Sequence, residues 1–149
     1  MLPSSSLPTQ FAPAELAPEP IIGQQHAYFD AIPLLRQFAD AIPNVFLILN
    51  PQRQIVFANQ VIFRLLGEPD IDAIAHTMSH AIYGRRPGEL LNCEHATETD
   101  GGCGTTTFCR TCGAVRAVLT SLNGRESVQE CRITAQDGSA FDFRVWATP

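Results

Sequence analysis

Lysine is absent from this 149-residue chain: all ten basic residues are arginine, set against fifteen acidic ones for a net charge of −5. The missing lysine reads as codon usage rather than function. The acidic balance excludes the basic footprint that nucleic acid or an anionic membrane requires. Long apolar runs are lacking too, since no stretch approaches the roughly 20 residues of a membrane span. MLPSSSLPTQ has neither the basic start nor the apolar run of a secretory leader, so a cytoplasmic location is expected. One tryptophan and two tyrosines define no flavin site, and no histidine is placed by pattern as a haem ligand. Arg85 and Arg86 have no glycine-rich nucleotide motif beside them and read as an anchor for the loop that follows or a partner-facing pair.

What the chain does have is cysteine in one place. Cys93, Cys103, Cys109 and Cys112 fall within CEHATETDGGCGTTTFCRTC, a C-x9-C-x5-C-x2-C pattern. Four thiolates complete a tetrahedral zinc shell or hold the corners of an iron-sulfur cluster, and this spacing does not separate the two. Gly101, Gly102, Gly104 and Gly113 suit a loop that wraps an ion, and Arg110 and a helix start after Cys112 would favour thiolate. A reducing compartment disfavours structural disulfides, and the odd total of five cysteines leaves one unpaired. The other readings are redox-active thiols without metal and inert core residues. His95 is a reserve ligand through C-x-H, weighed against a loop histidine bonded to backbone. Glu94, Glu98 and Asp100 read as solvated loop charges.

Residues 1 to about 25, rich in Pro, Ser and Ala, are expected as a disordered tail. A helix is expected over 26–43, with Asp30 as cap, Pro33 in its first turn and Pro43 as its end. Its stripe of Tyr28, Ile32, Leu35, Ala39 and Ile42 suits a core face or a short dimer seam. Val45 to Leu49 and Ile55 to Ala58 read as strands around Asn50-Pro51-Gln52-Arg53. Asn59 then caps a helix bearing Val61, Ile62, Leu65 and Leu66 and closed by Gly67. A weaker helix over 69–83 carries Ile71, Ile74, Met78 and Ile82. It also carries His76 and His80, an i, i+4 pair without the glutamate of a zinc-protease motif. Val115, Val118, Leu119 and Leu122 mark a helix ending at Asn123-Gly124. Two strands follow around Asp137-Gly138, with Phe141, Phe143 and Val145 on one face and Cys131, mid-strand with Ile133 and Ala135, read as core.

Strand, turn, strand, helix, short helices, a longer helix and a β-hairpin is an order that resembles a PAS domain. NVFLILNPQRQIVFANQVIFRLLG is similar to its opening strands and helix, and ECRITAQDGSAFDFRVWATP to its late hairpin. RRPGELLNCEHA followed by GCGTTTFCRTCGAV is similar to cysteine-bearing PAS domains that precede histidine kinases or other response modules. The resemblance, over about residues 30–149, implies an α+β fold in which residues 44–149 form an antiparallel sheet flanked by short helices and one longer helix. In the family one more strand follows, so the resemblance implies either a fragment of a longer signalling protein or a sheet completed by a partner. It also implies a non-enzymatic sensory module, homodimeric through its N-terminal helix. Such a module binds zinc or an iron-sulfur cluster in the 93–112 loop and relays redox or gas state to a downstream kinase or other effector. A zinc-stapled interaction module is the alternative, and a thiol-disulfide enzyme is third.

Overall fold

A computed structural model describes residues 6–67 and 79–149. The chain divides into two compact units, Leu16–Arg85 and a second made of the segment up to Glu15 together with Arg86–Pro149. The architecture is α+β and PAS-like, with the strands among the described residues in two two-stranded antiparallel sheets. Among the described residues, no helix is long and apolar enough to cross a membrane.

The Leu16–Arg85 unit opens with helices α1 (Glu19–Asp30) and α2 (Pro33–Ala41), where a single helix over 26–43 was expected. Pro33 explains the break. A residue before proline is forced toward extended backbone, and Ile32 sits at φ −92° and ψ 99°, so no helix passes through it. Asp30 consequently ends α1 instead of capping the next helix. Prolines 18 and 20 fall at the start of α1, where a helix tolerates them, and Ile22 is buried beside Gly84. The composition of residues 1–25 therefore hides a helix start.

Strands β1 (Leu47–Leu49) and β2 (Ile55–Ala58) pair in the register Leu47 to Ala58, with a bulge after Ile48. Asn50 makes the turn: its Oδ1 accepts from the amides of Gln52 and Gln54 at 3.0 and 2.9 Å. All four β2 residues are buried, as befits a continuous apolar run. The free edge of β2 is used as well, with Ile55 N donating to Arg85 O and Gly84 N to Ile55 O. Helix α3 (Val61–Leu65) follows with Gln60 as its N-cap. Asn59 does something other than capping. Its Oδ1 accepts from Phe46 N, while Nδ2 donates to the carbonyls of Ala39 and Asn44, tying the end of α2 to the β1 approach. A short helix α4 (Ser79–Ile82) completes the unit. Of the expected stripe, Ile82 is buried, while Ile71, Ile74, Met78 and the His76–His80 pair lie outside the described side chains.

The second unit contains α5 (Pro87–Leu90), 3-10 turns at Glu94–Thr97 and Phe108–Arg110, α6 (Gly113–Leu122), and strands β3 (Ser127–Thr134) and β4 (Ala140–Ala147). The hairpin register pairs Cys131 with Phe143 and Ile133 with Phe141 across the Asp137-Gly138 turn. Helix α6 packs on both strands. Its apolar stripe is rotated from the expected one: Val115 and Ala117 are buried, whereas Leu122 is exposed. Part of the expected tail belongs here. Gln10 N donates to Thr105 O and Ala12 N to Gly104 O, and Ala12 packs with Cys109 and Val115.

Candidate metal centre

All five cysteines are free thiols and all lie in the second unit. Cys93 precedes the first 3-10 turn, where its amide donates to Gly88 O at 2.8 Å and its backbone bridges to Ala135 at the end of β3. Cys103 has its amide on Glu89 Oε1 at 3.2 Å. Gly88 lies between these two cysteines. A Cβ there would stand 2.6 Å from the Cys103 sulfur and 3.5 Å from Cys93 Cβ, so only glycine leaves the space open. Cys109 is buried in the second turn with its sulfur 3.2 Å from Thr106 Oγ1. Cys112 is the N-cap of α6, and its sulfur lies 3.6 Å from that of Cys131 on β3.

The loop is braced from inside by Arg86, whose side chain is fully buried. Its Nη1 donates to Gly101 O at 2.8 Å and Cys103 O at 3.4 Å, and its Nη2 to the carbonyls of Glu15, Ala14 and Pro13 at 3.0, 3.3 and 3.4 Å. A planar guanidinium with five donors suits this task better than a point ammonium. Arg110, expected to favour thiolate, points elsewhere: its Nε and Nη2 donate to Gln10 O at 3.2 and 2.8 Å. His95 is likewise engaged, stacked on Phe108 at 3.6 Å with Nδ1 2.6 Å from Glu98 Oε1 and Nε2 3.4 Å from Glu94 Oε1. Those carboxylates, expected as solvated charges, hold the imidazole in place. Of the wrapping glycines, Gly102 and Gly104 take positive φ. Gly113 is needed for a different reason, because a Cβ there would overlap the carbonyl oxygen of Glu130 on β3.

The thiols differ in how readily they ionise. Burial raises Cys93, and the charges of Cys112 and Cys109 raise it further. Burial pushes Cys103 up to about 12, with Cys109, Glu89 and Cys112 adding to it. Cys112 goes the other way, to about 6, because Cys131 donates a hydrogen bond to it and the amides of Val115 and Ala114 at the start of α6 favour its negative charge. Cys131, as the donor, is raised.

Buried sulfurs whose charges mutually repel are the donor set a soft or borderline dication relieves. Among the described residues, no three Cys, His, Asp or Glu side chains are grouped closely enough to hold an ion as they stand. Cys112 and Cys131 are the pair already in contact, and the other thiols lie within electrostatic reach of them. Cys131 was assigned to the core by its strand pattern, and burial bears that out; its contact with Cys112 escapes period-2 reasoning.

Residues 34–101 match the family model of the PAS domain, a span that covers less than half of the chain, from α2 to Gly101. It supports a PAS domain, a class that is sensory or regulatory rather than catalytic. Cys93 lies inside the matched span, and Cys103, Cys109, Cys112 and Cys131 lie beyond it. No curated protein and no solved structure matches the chain.

Proposed function

We propose that this chain is the sensory module of a bacterial signalling protein in which Cys93, Cys103, Cys109 and Cys112 hold a metal centre, zinc or an iron-sulfur cluster. The observation that carries the reading is the position of Cys112, at once a member of the thiol cluster and the first cap of α6, a helix that lies across β3 and β4. A bound metal would supply cross-links between loop segments and, if it is iron-sulfur, sensitivity to oxygen, nitric oxide or redox state. The residues do the remainder. Arg86 fixes the loop from Gly101 to Cys103, Gly88 keeps space for sulfur, and a change at Cys112 acts on the start of α6. The output passes to a downstream kinase or other response module. Pairing through α1 and α2 completes the reading, supported by Tyr28, Leu34 and Phe38, which are at least 60% exposed.

Metal and sulfide analysis with a visible spectrum, on protein purified without oxygen, tests this. Iron with sulfide and a brown colour bleached by air makes the loop a redox or gas sensor. Colourless protein with one zinc per chain makes it a staple that contributes folding energy. Protein without metal in either form sinks the proposal.

A further inference from the structure

We propose that Cys131 is a ligand of the same centre and shares one ion with Cys112, taking one of the four corners assigned above to the loop cysteines, so that the metal joins the start of α6 to strand β3. The inference rests on the metal-binding reading above and extends it to a residue outside the 93–112 loop.

The argument begins with a distance. The sulfurs of Cys112 and Cys131 are 3.6 Å apart. A disulfide would need about 2.05 Å. Two thiolates each about 2.3 Å from one tetrahedral zinc stand about 3.8 Å apart. The observed separation, that of a thiol hydrogen bond, is close to the spacing of two neighbouring corners of one coordination shell, so an ion could replace the bond with little movement. A cubane iron-sulfur cluster takes one cysteine per iron and holds its ligands much farther apart, so the pair favours a single ion or a binuclear cluster.

The backbone sets this distance. Gly113 is pressed against the Glu130 carbonyl, which brings the residue before Gly113 beside the residue after Glu130. Cys131 faces inward from β3, buried, while its neighbours Glu130 and Arg132 are exposed. Sequence spacing leaves room for it. Cys109 and Cys112 form a C-x-x-C chelate, and Cys131 follows 19 positions after Cys112 as a single donor, with no second C-x-x-C around it.

No electron changes hands on binding. The metal–sulfur bonds form as the Cys112 and Cys131 sulfurs surrender whatever protons they carry to solvent, and the hydrogen bond between them is replaced by the shared ion.

The test compares Cys131→Val, apolar and close in size, with Cys131→His, which restores a donor atom. Zinc content and zinc affinity by chelator competition are measured on the whole chain, alongside far-UV circular dichroism. The expected result is a loss of roughly tenfold or more in affinity for Cys131→Val, with recovery in Cys131→His and one sulfur fewer around the metal by X-ray absorption. Affinity of Cys131→Val within about twofold of wild type overturns the inference and leaves the four-cysteine reading standing. Failure of Cys131→His to improve on Cys131→Val overturns it as well. Wild-type protein that binds no zinc or iron overturns both.

Discussion

Gly113 and Glu130 meet backbone to backbone: a Cβ on the glycine would occupy the place of the Glu130 carbonyl oxygen. This one approach seats the N-terminus of α6 on β3 and sets Cys112 against Cys131. Gly113→Ala must force the two elements apart, at a cost of about 1–3 kcal/mol by analogy with overpacked cores. Denaturant unfolding of the metal-free protein should show that loss, and zinc affinity should fall with it. An unchanged midpoint would mean that the helix start is not held where the structure has it.

Arg86 is the internal brace of the cysteine loop. Arg86→Met keeps most of the apolar stem but leaves the carbonyls of Gly101, Cys103 and Glu15 without their donor. Each buried acceptor left unpaired costs about 1–3 kcal/mol, so a total loss of roughly 3 kcal/mol or more is expected. Arg86→Lys should recover only part of it, since an ammonium cannot fork toward both carbonyl groups. Limited proteolysis should then cut first between residues 93 and 112.

Thiol reactivity in the metal-free protein should be graded. The thiolate is the nucleophile, so alkylation of Cys112 should rise through a midpoint near pH 6, given its lowering to about 6. Below that pH its proton returns and the rate falls. Cys103 is pushed up to about 12 and should stay unmodified at neutral pH. Mass spectrometry of a pH series resolves the two. Equal rates at pH 7 would contradict the difference in their surroundings.

Asn59 links three backbone segments of the Leu16–Arg85 unit and is fully buried. Asn59→Leu, which keeps the branched shape, strands the Phe46 amide and the Asn44 carbonyl, while the Ala39 carbonyl keeps the Ile42 amide, and a destabilisation of about 2 kcal/mol or more is expected. Because the residue belongs to the other unit, zinc content of protein that remains folded should not change.

The exposed apolar side chains of α2 bear on oligomeric state. Leu34→Glu combined with Phe38→Glu should convert a dimer to a monomer in light scattering while leaving far-UV circular dichroism unchanged. An assembly that survives both charges would remove α2 from the interface.

Much of this protein was legible in its sequence. Periodicity and turn chemistry located β2 to the residue, the β3–β4 hairpin with its Asp137-Gly138 turn, and the helix that starts after Cys112. These are local properties: alternation of apolar residues, glycine at positive φ, and the exclusion of helix before proline act within a few residues. The loop cysteines were visible because metal-ligating residue types cluster there in sequence.

Tertiary structure alone decided the rest. The split into α1 and α2 is the exception, since the restriction at Ile32 is local and was masked by the broader apolar stripe. Asn59 forgoes its expected cap for carbonyls brought from 20 and 15 positions away. Arg86 finds partners 15 and 71 positions distant, and Arg110 reaches Gln10 across 100. Cys131 read as a core residue because period-2 alternation reports which face a side chain occupies, not what waits on the far side. The partner there, Cys112, is delivered by a glycine with no side chain, and no pattern within either segment records the meeting. Propensity acts locally and is written in neighbouring residues, whereas hydrogen bonds and sulfur contacts between distant segments exist only once the chain has closed on itself.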